Sequence, residues 1–313
     1  MLARLAICTR INQIEVRVDL DNEGRFEAER NTATMVDAAE RETSTNLGAI
    51  RSLTGTIGAE LTGVRMDPED LELVEHIRST VIAHRVVAIR EQFLGPEDLL
   101  AFGAKMGKFM MTRGAPADER WPDLLHVTNP GKTNALSENW HTDGTTSERP
   151  PSFSLLAALV LPEAGGDTLF VDMGYAYRTL SPAYRRLLRG LRGHHANRLL
   201  ASDQRLEAWH PLVRTIPESG ERVLFPGFPN IMDEIEGMTI PESRSLLNFL
   251  FAHATRHDGM YRHRWQPGDV LVWDNRSTMH YAVHDYGDAP RELYRLMIEG
   301  ECPFEAPYSD TDE

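Results

Sequence analysis

A chain of 313 residues, 41% hydrophobic and 26% charged, is long enough to bury a full core and has the balance of an ordinary globular protein. Its formal net charge of −14 argues against a nucleic-acid partner, because phosphate backbones are held by clustered Lys and Arg. Two cysteines, Cys8 and Cys302, cannot build a disulfide framework and fit a reducing cytoplasm, and no apolar run approaches a membrane span.

The apolar start, Met1 to Cys8, is broken at Thr9-Arg10, too early for the core of a secretion signal. Asn12 to Leu20 alternates weakly, and Asp21 to Thr45 is polar and acidic with few large apolar side chains. Such a segment buries little surface, so residues 1–45 read as an N-terminal extension and residues 46–313 as a single domain. Asp67-Pro68-Glu69-Asp70 reads as a helix start, with Asp67 as the cap and proline at the first position. Leu71, Val74, Ile77 and Val81 then form one apolar stripe. Val86 to Ile89 reads as a buried strand, Pro96 to Phe109 as a second helix, and two further helices begin at Ser181-Pro182 and near Pro241. Strand patterns cover Ser152 to Leu161, Thr168 to Val171, Val270 to Trp273 and Leu293 to Ile298, separated by Gly, Pro and Asp turns. The expected fold class is mainly β with flanking helices, a β-roll or jelly roll.

His141-Thr142-Asp143 is the one His-x-acid pair in the chain. In extended backbone, side chains two apart point the same way, so both can reach one metal. Two histidines and one carboxylate hold Fe(II) on one face and leave the other open. Alone the pair means little, since chance supplies one on the order of once in a chain with this many histidines. His280 follows a buried-looking strand and a polar turn and is expected to point inward; a core histidine bonded to a carbonyl is the plain alternative. Arg291 and Arg295 fall on one face of the last strand with Leu293 and Met297. Two inward guanidinium groups need anions, supplied either by a ligand or by protein acids in an internal salt bridge. Gly165-Gly166-Asp167-Thr168 is a tight turn into a strand, with Thr168 offering a hydroxyl donor.

Taken together, His141-Thr-Asp143, Gly165-Gly-Asp-Thr168, Trp273-Asp-Asn-Arg276 and His280 followed by Arg291 and Arg295 resemble the taurine dioxygenase/TfdA family. These are Fe(II)- and 2-oxoglutarate-dependent dioxygenases. The likeness runs from about Gly55 to Phe304 and includes His210-Pro-Leu-Val-Arg214. The resemblance implies a double-stranded β-helix, cupin-like, with His141, Asp143 and His280 on iron. It implies that Thr168 and Arg291 hold the far carboxylate of 2-oxoglutarate, that O2 is consumed, and that succinate and CO2 are released. Arg295 stands where the family meets the anionic group of a small organic substrate, which is hydroxylated and in some members then cleaved at a C–O or C–S bond. Against the taurine-cleaving members, Thr112 replaces a histidine and Ser137 an asparagine, so taurine itself is not the expected substrate. Met110, Met111 and Phe228 would line a more apolar pocket. Among the other histidines, His194, His195, His253, His257 and His284 are expected to be structural or at the surface. The same iron site would also serve a biosynthetic desaturase or oxidase of an amino-acid-derived substrate. From other classes, a Zn(II) hydrolase and a non-catalytic metal-binding β-roll compete. A homo-oligomer is compatible with all of these readings.

Overall fold

The structure is a computed structural model and describes residues 10–11, 14–15, 47–110, 120–128, 136–196, 206–227 and 232–309. Residues 1–45 and 46–313 fall into two separate units. In the first, β1 (Arg10–Ile11) and β2 (Ile14–Glu15) pair antiparallel. The second is mainly β. Its first half holds β3 (Ala49–Ser52), β4 (Ala59–Thr62), α1 (Leu71–His84), β5 (Val86–Ile89), α2 (Pro96–Met106), β6 (Leu125–Thr128), β7 (Pro151–Val160) and β8 (Thr168–Asp172). Next come α3 (Met173–Arg178), α4 (Pro182–Leu188), β9 (Arg192–Ala196), β10 (Glu207–Pro211), β11 (Val213–Thr215), β12 (Arg222–Leu224) and β13 (Met232–Ile235). The chain closes with α5 (Ile240–Ala254), β14 (Met260–His263), β15 (Val270–Asp274), β16 (Thr278–Ala282) and β17 (Glu292–Glu299).

Two sheets carry the architecture. Seven strands run in the order β3-β4-β5-β15-β7-β17-β6, and three in the order β14-β8-β16. The period-two alternation of side chains sorts each strand between two cores. From the large sheet, Val87, Ile89, Leu155, Ala157, Val270, Val272, Leu296 and Ile298 pack outward against α1 and α2. Val86, Ala88, Leu156, Leu271, Trp273 and Leu293 pack inward against Phe170 of β8 and Tyr261 of β14. The outer face of the small sheet is covered in turn: Val171 and Met279 join α3, α4, α5 and β11 to β13 in a third cluster. Strands buried on both faces explain the unbroken apolar runs of β5 and β15, every residue of which is buried.

Most expected elements stand within a residue or two of their places, but the first helix is shifted. It begins at Leu71, and its cap is Asp70, whose side chain accepts from the Leu73 N–H at 3.0 Å. Asp67 instead closes a turn, accepting from the Glu69 N–H at 2.9 Å. The later start turns Leu73, Val74, Ile77 and Val81 to the sheet and leaves Leu71 61% exposed. Helix α2 stops at Met106 rather than Phe109, because Gly107 takes φ 154°, a conformation that only glycine adopts readily. In the same helix a Cβ on Gly103 would lie 2.1 Å from Leu296 Cδ2, so this glycine permits the close approach of α2 to β17. The short elements α3 and β9 to β13 carry no pattern long enough to read from sequence.

Candidate metal centre

His141 and His280 are brought together by backbone pairing. The His141 N–H donates to the His280 carbonyl at 3.0 Å, and the His280 N–H donates to the His141 carbonyl at 2.8 Å. Their rings lie 4.1 Å apart between centroids. Thr142 is fixed in the same segment, its hydroxyl donating to the Thr278 carbonyl at 2.9 Å. Asp143 is clamped from both sides by Asn275. The Asp143 N–H donates to Asn275 Oδ1 at 3.0 Å, and Asn275 Nδ2 donates to the carbonyls of Asp143 at 3.1 Å and Pro151 at 3.0 Å. The Ser154 hydroxyl, inward on β7, donates to Asp143 Oδ2 at 3.4 Å. His141 and Asp143 thus converge on the histidine of β16, but His141 forms only an isolated bridge and Asp143 opens a turn, so the segment between them is not a strand.

The three side chains present one ligand atom each, all within 4.8 Å of one another. His141 Nε2 lies 3.5 Å from Asp143 Oδ1, and His280 Nε2 lies 3.6 Å from Asp143 Oδ2. His141 Nδ1 meets the Asn139 carbonyl at 2.7 Å; only an N–H can pair there, so the lone pair is on Nε2. For His280, burial first, and then the charge of its neighbour His141, holds its proton affinity well below the usual imidazole value, while Asp143 opposes. Asp143 is fully enclosed, which by itself pushes its pKa up, but Arg295, His280 and His141 hold it well below the usual carboxylate range. Two imidazole Nε2 atoms and one carboxylate held ionised therefore face a common point. That donor chemistry suits a divalent transition metal and fits the iron expected there. Among the described residues this is the sole such group of three. The His280 ring is backed by Trp273 at 5.0 Å and Phe170 at 5.9 Å between centroids.

Arg295 forms an ion pair with Asp143 Oδ2 and reaches Met297 Sδ at 3.2 Å, so it borders the metal centre. Arg291 sits deeper and is 6% exposed; its Nε donates to the Gly166 carbonyl at 2.9 Å. Among the described residues no carboxylate lies within salt-bridge distance of it, which removes the internal salt bridge as its explanation. Burial lowers its pKa, opposed by Tyr286 and Asp167. Gly165 and Gly166 take φ of 83° and 72°, and a Cβ on Gly166 would lie 2.9 Å from Arg291 Cδ. The turn thus admits the arginine. Thr168, on the inner face of β8, is buried and accepts from Trp265 Nε1 at 3.1 Å. Ser137 lies half-buried in a 3-10 turn, Leu136–Glu138, that packs against β16. Met111, Thr112 and Phe228 lie outside the described residues, while Met110 is half-buried with its N–H on the Met297 carbonyl at 2.9 Å.

Most of the other described histidines named above have structural partners or rest in the core, while His257 is exposed. His210 is buried, and its Nε2 meets the carbonyls of Thr145 and Ser147 at 2.9 and 3.0 Å, bracing the turn that follows Asp143. His284 pairs with Glu138 at 2.9 Å, and His253 meets the Ala176 carbonyl at 2.9 Å. His195 is wholly buried with no hydrogen-bond partner on either nitrogen among the described residues. Sequence reasoning missed the parts played by Asn275, Ser154 and Trp265. Asn275 lay within the Trp273–Arg276 motif but carried no assigned task; Ser154 and Trp265 have no local signal at all.

Three converging donors with a buried arginine that has no carboxylate partner among the described residues suit a metal-dependent site. The comparisons agree. Residues 49–297 match the family model described as taurine catabolism dioxygenase TauD, TfdA family. An alpha-ketoglutarate-dependent sulfate ester dioxygenase of Pseudomonas putida is 33% identical over 275 residues, covering 81% of this chain and 90% of that protein. An alkylsulfatase of Acinetobacter baylyi is 31% identical, covering 80% and 85%. The crystal structure of a taurine dioxygenase from Burkholderia xenovorans superposes with a TM-score of 0.71 at 37% identity, covering 82% and 92%. The chain belongs to the TauD/TfdA family. It is a 2-oxoglutarate-dependent dioxygenase, and the zinc hydrolase and non-catalytic readings fall.

Proposed function

We propose that this enzyme oxidises a small anionic organic molecule, with sulfate esters the leading class, and that His141, Asp143 and His280 are its iron ligands. The observation that carries the site is the convergence of those three donors beside a buried arginine without a protein carboxylate. Iron, 2-oxoglutarate and O2 supply the oxidising chemistry when bound; the protein contributes binding, orientation and exclusion of water. Thr168 and Arg291 take the far carboxylate of 2-oxoglutarate, a guanidinium and a hydroxyl being suited to one carboxylate. Arg295, at the rim of the metal centre, takes the substrate's anionic group. Ser137, Met110, Met111 and Thr112, with Phe228, contribute the rest of the pocket wall.

Support for sulfate esters comes from the two relatives just named, which cover most of their own lengths. Hydroxylation at a carbon bearing a sulfate ester gives a hemiacetal-like product that collapses to a carbonyl compound and sulfate. The two sheets enclosing the inner core are read as the family's double-stranded β-helix, residues 46–313 as the dioxygenase domain, and residues 1–45 as an extension. No helix among the described residues is long and apolar enough to cross a membrane, and a cytoplasmic location without nucleic-acid partners suits the charge and cysteine usage. The deciding experiment measures succinate release with alkyl sulfates, sulfonates, aryloxyalkanoates and amino-acid derivatives. Alkyl sulfates are expected to stimulate turnover most, with sulfate released in equal amount; stimulation by amino-acid derivatives alone would overturn the substrate class and favour the biosynthetic alternative.

A further inference from the structure

Thr168 presents an imbalance that its surroundings do not resolve. Its hydroxyl accepts a hydrogen bond from Trp265 Nε1 at 3.1 Å. An indole nitrogen is only ever a donor, so the direction of that bond is fixed. The Thr168 proton must therefore point elsewhere, and among the described residues the hydroxyl donates no hydrogen bond. Its backbone neighbours are engaged, since β8 is paired on both sides, with His263 on β14 and Ala282 on β16 opposite Thr168. Thr168 is 3% exposed, where an unmatched donor is costly. Arg291 adjoins the same place. Its Nε bonds the Gly166 carbonyl two residues before Thr168, and its guanidinium carbon lies 6.0 Å from the Trp265 ring centroid.

We infer that Trp265 is a positioning residue for the co-substrate: by occupying the acceptor side of Thr168 it commits the hydroxyl proton to the far carboxylate of the keto acid. This rests on the co-substrate reading given above. Without Trp265 the hydroxyl is free to rotate and to take water as its acceptor, so the donor is no longer set before binding. The residue would thereby help the site distinguish a dicarboxylate keto acid from a monocarboxylate one, without touching the reacting carbons.

The test compares 2-oxoglutarate with 2-oxobutanoate, which has the same chelating end and no far carboxylate, by calorimetric binding to the full-length Mn(II)-loaded protein. Trp265→Phe keeps an aromatic ring and removes the N–H. It is expected to weaken 2-oxoglutarate binding by about tenfold, to leave 2-oxobutanoate binding unchanged, and to raise the 2-oxoglutarate KM with little change in kcat. In a Thr168→Val background the same substitution should have no further effect. Equal weakening of both keto acids, or full additivity of the two substitutions, would show a merely structural role and overturn the inference. Unchanged 2-oxoglutarate affinity in Trp265→Phe, with Arg291→Ala and Thr168→Val both impaired, overturns this inference alone. If those two variants also bind 2-oxoglutarate normally, the co-substrate reading itself fails.

Discussion

We propose that Arg291, just before β17, and Arg295, within it, divide their work by depth. Arg291 is the more deeply buried and has no carboxylate partner among the described residues, whereas Arg295 already pairs with Asp143. Losing a charge-assisted hydrogen bond costs about 1.5–3 kcal/mol, a factor of about ten to a hundred. Arg291→Ala is therefore expected to raise the 2-oxoglutarate KM by about that factor, and Arg295→Ala the KM of the primary substrate. Steady-state kinetics in which both variants shift 2-oxoglutarate equally would show the division to be wrong. His141→Ala and Asp143→Ala each remove one of three converging donors and should abolish Fe(II)-dependent conversion of 2-oxoglutarate to succinate. Retained turnover in either, measured as succinate formed, would sink the metal assignment.

At the level of elements, the glycine turn into β8 and the turn after β15 hold the site by backbone geometry. Gly166 is left-handed at φ 72°, and a Cβ there would crowd Arg291 Cδ at 2.9 Å. An L side chain in that conformation costs about 1–2 kcal/mol. Gly166→Ala should lower the melting temperature modestly and raise the 2-oxoglutarate requirement several-fold; loss of stability with unchanged 2-oxoglutarate binding would mean the turn does not place Arg291. Much of this level was legible beforehand. Strands β5, β7, β8, β15 and β17 and helices α4 and α5 show clear patterns, because long apolar periods survive in one dimension. Helix α1 was misplaced by three residues because Asp67 and Asp70 offer competing caps, and only packing of Leu73 rather than Leu71 against the sheet decides between them.

Over the whole molecule, buried neutral histidines set how the fold responds to acid. Burial first, then nearby Arg214 and Arg192, lowers His210 to about 4, though its two carbonyl partners pull the other way. Burial, with His210 and His194 adding to it, takes His195 well below its ordinary value. Both stay neutral in the fold while the unfolded chain protonates near 6.5, so the unfolded state binds more protons as pH falls. Their stability contribution is complete above about pH 6.5 and is lost as pH falls, that of His210 progressively toward about pH 4. Half-buried His284 runs the other way, because its hydrogen bond to Glu138 raises its pKa; its contribution is present below about pH 6.5 and is lost as pH rises through its folded value. Urea unfolding of the metal-free protein should show a falling midpoint from pH 7 to pH 5, and His210→Gln, which keeps a donor for Thr145 and Ser147, should flatten that slope. A midpoint independent of pH across this interval would contradict the buried-neutral assignment.

The linear chain determined the residue types of the proposed iron triad, of the proposed co-substrate pair and of the inward face of β17. Those depend on residue type, on the two-residue repeat of extended backbone and on the order of motifs, all of which are properties of sequence. Only the tertiary structure decided what surrounds them. Asn275 meets Asp143 across 132 residues, Trp265 meets Thr168 across 97, and Arg295 reaches Asp143 through the register of β17 on β7. Such contacts are fixed by how strands from distant parts of the chain align, and no local spacing encodes that alignment.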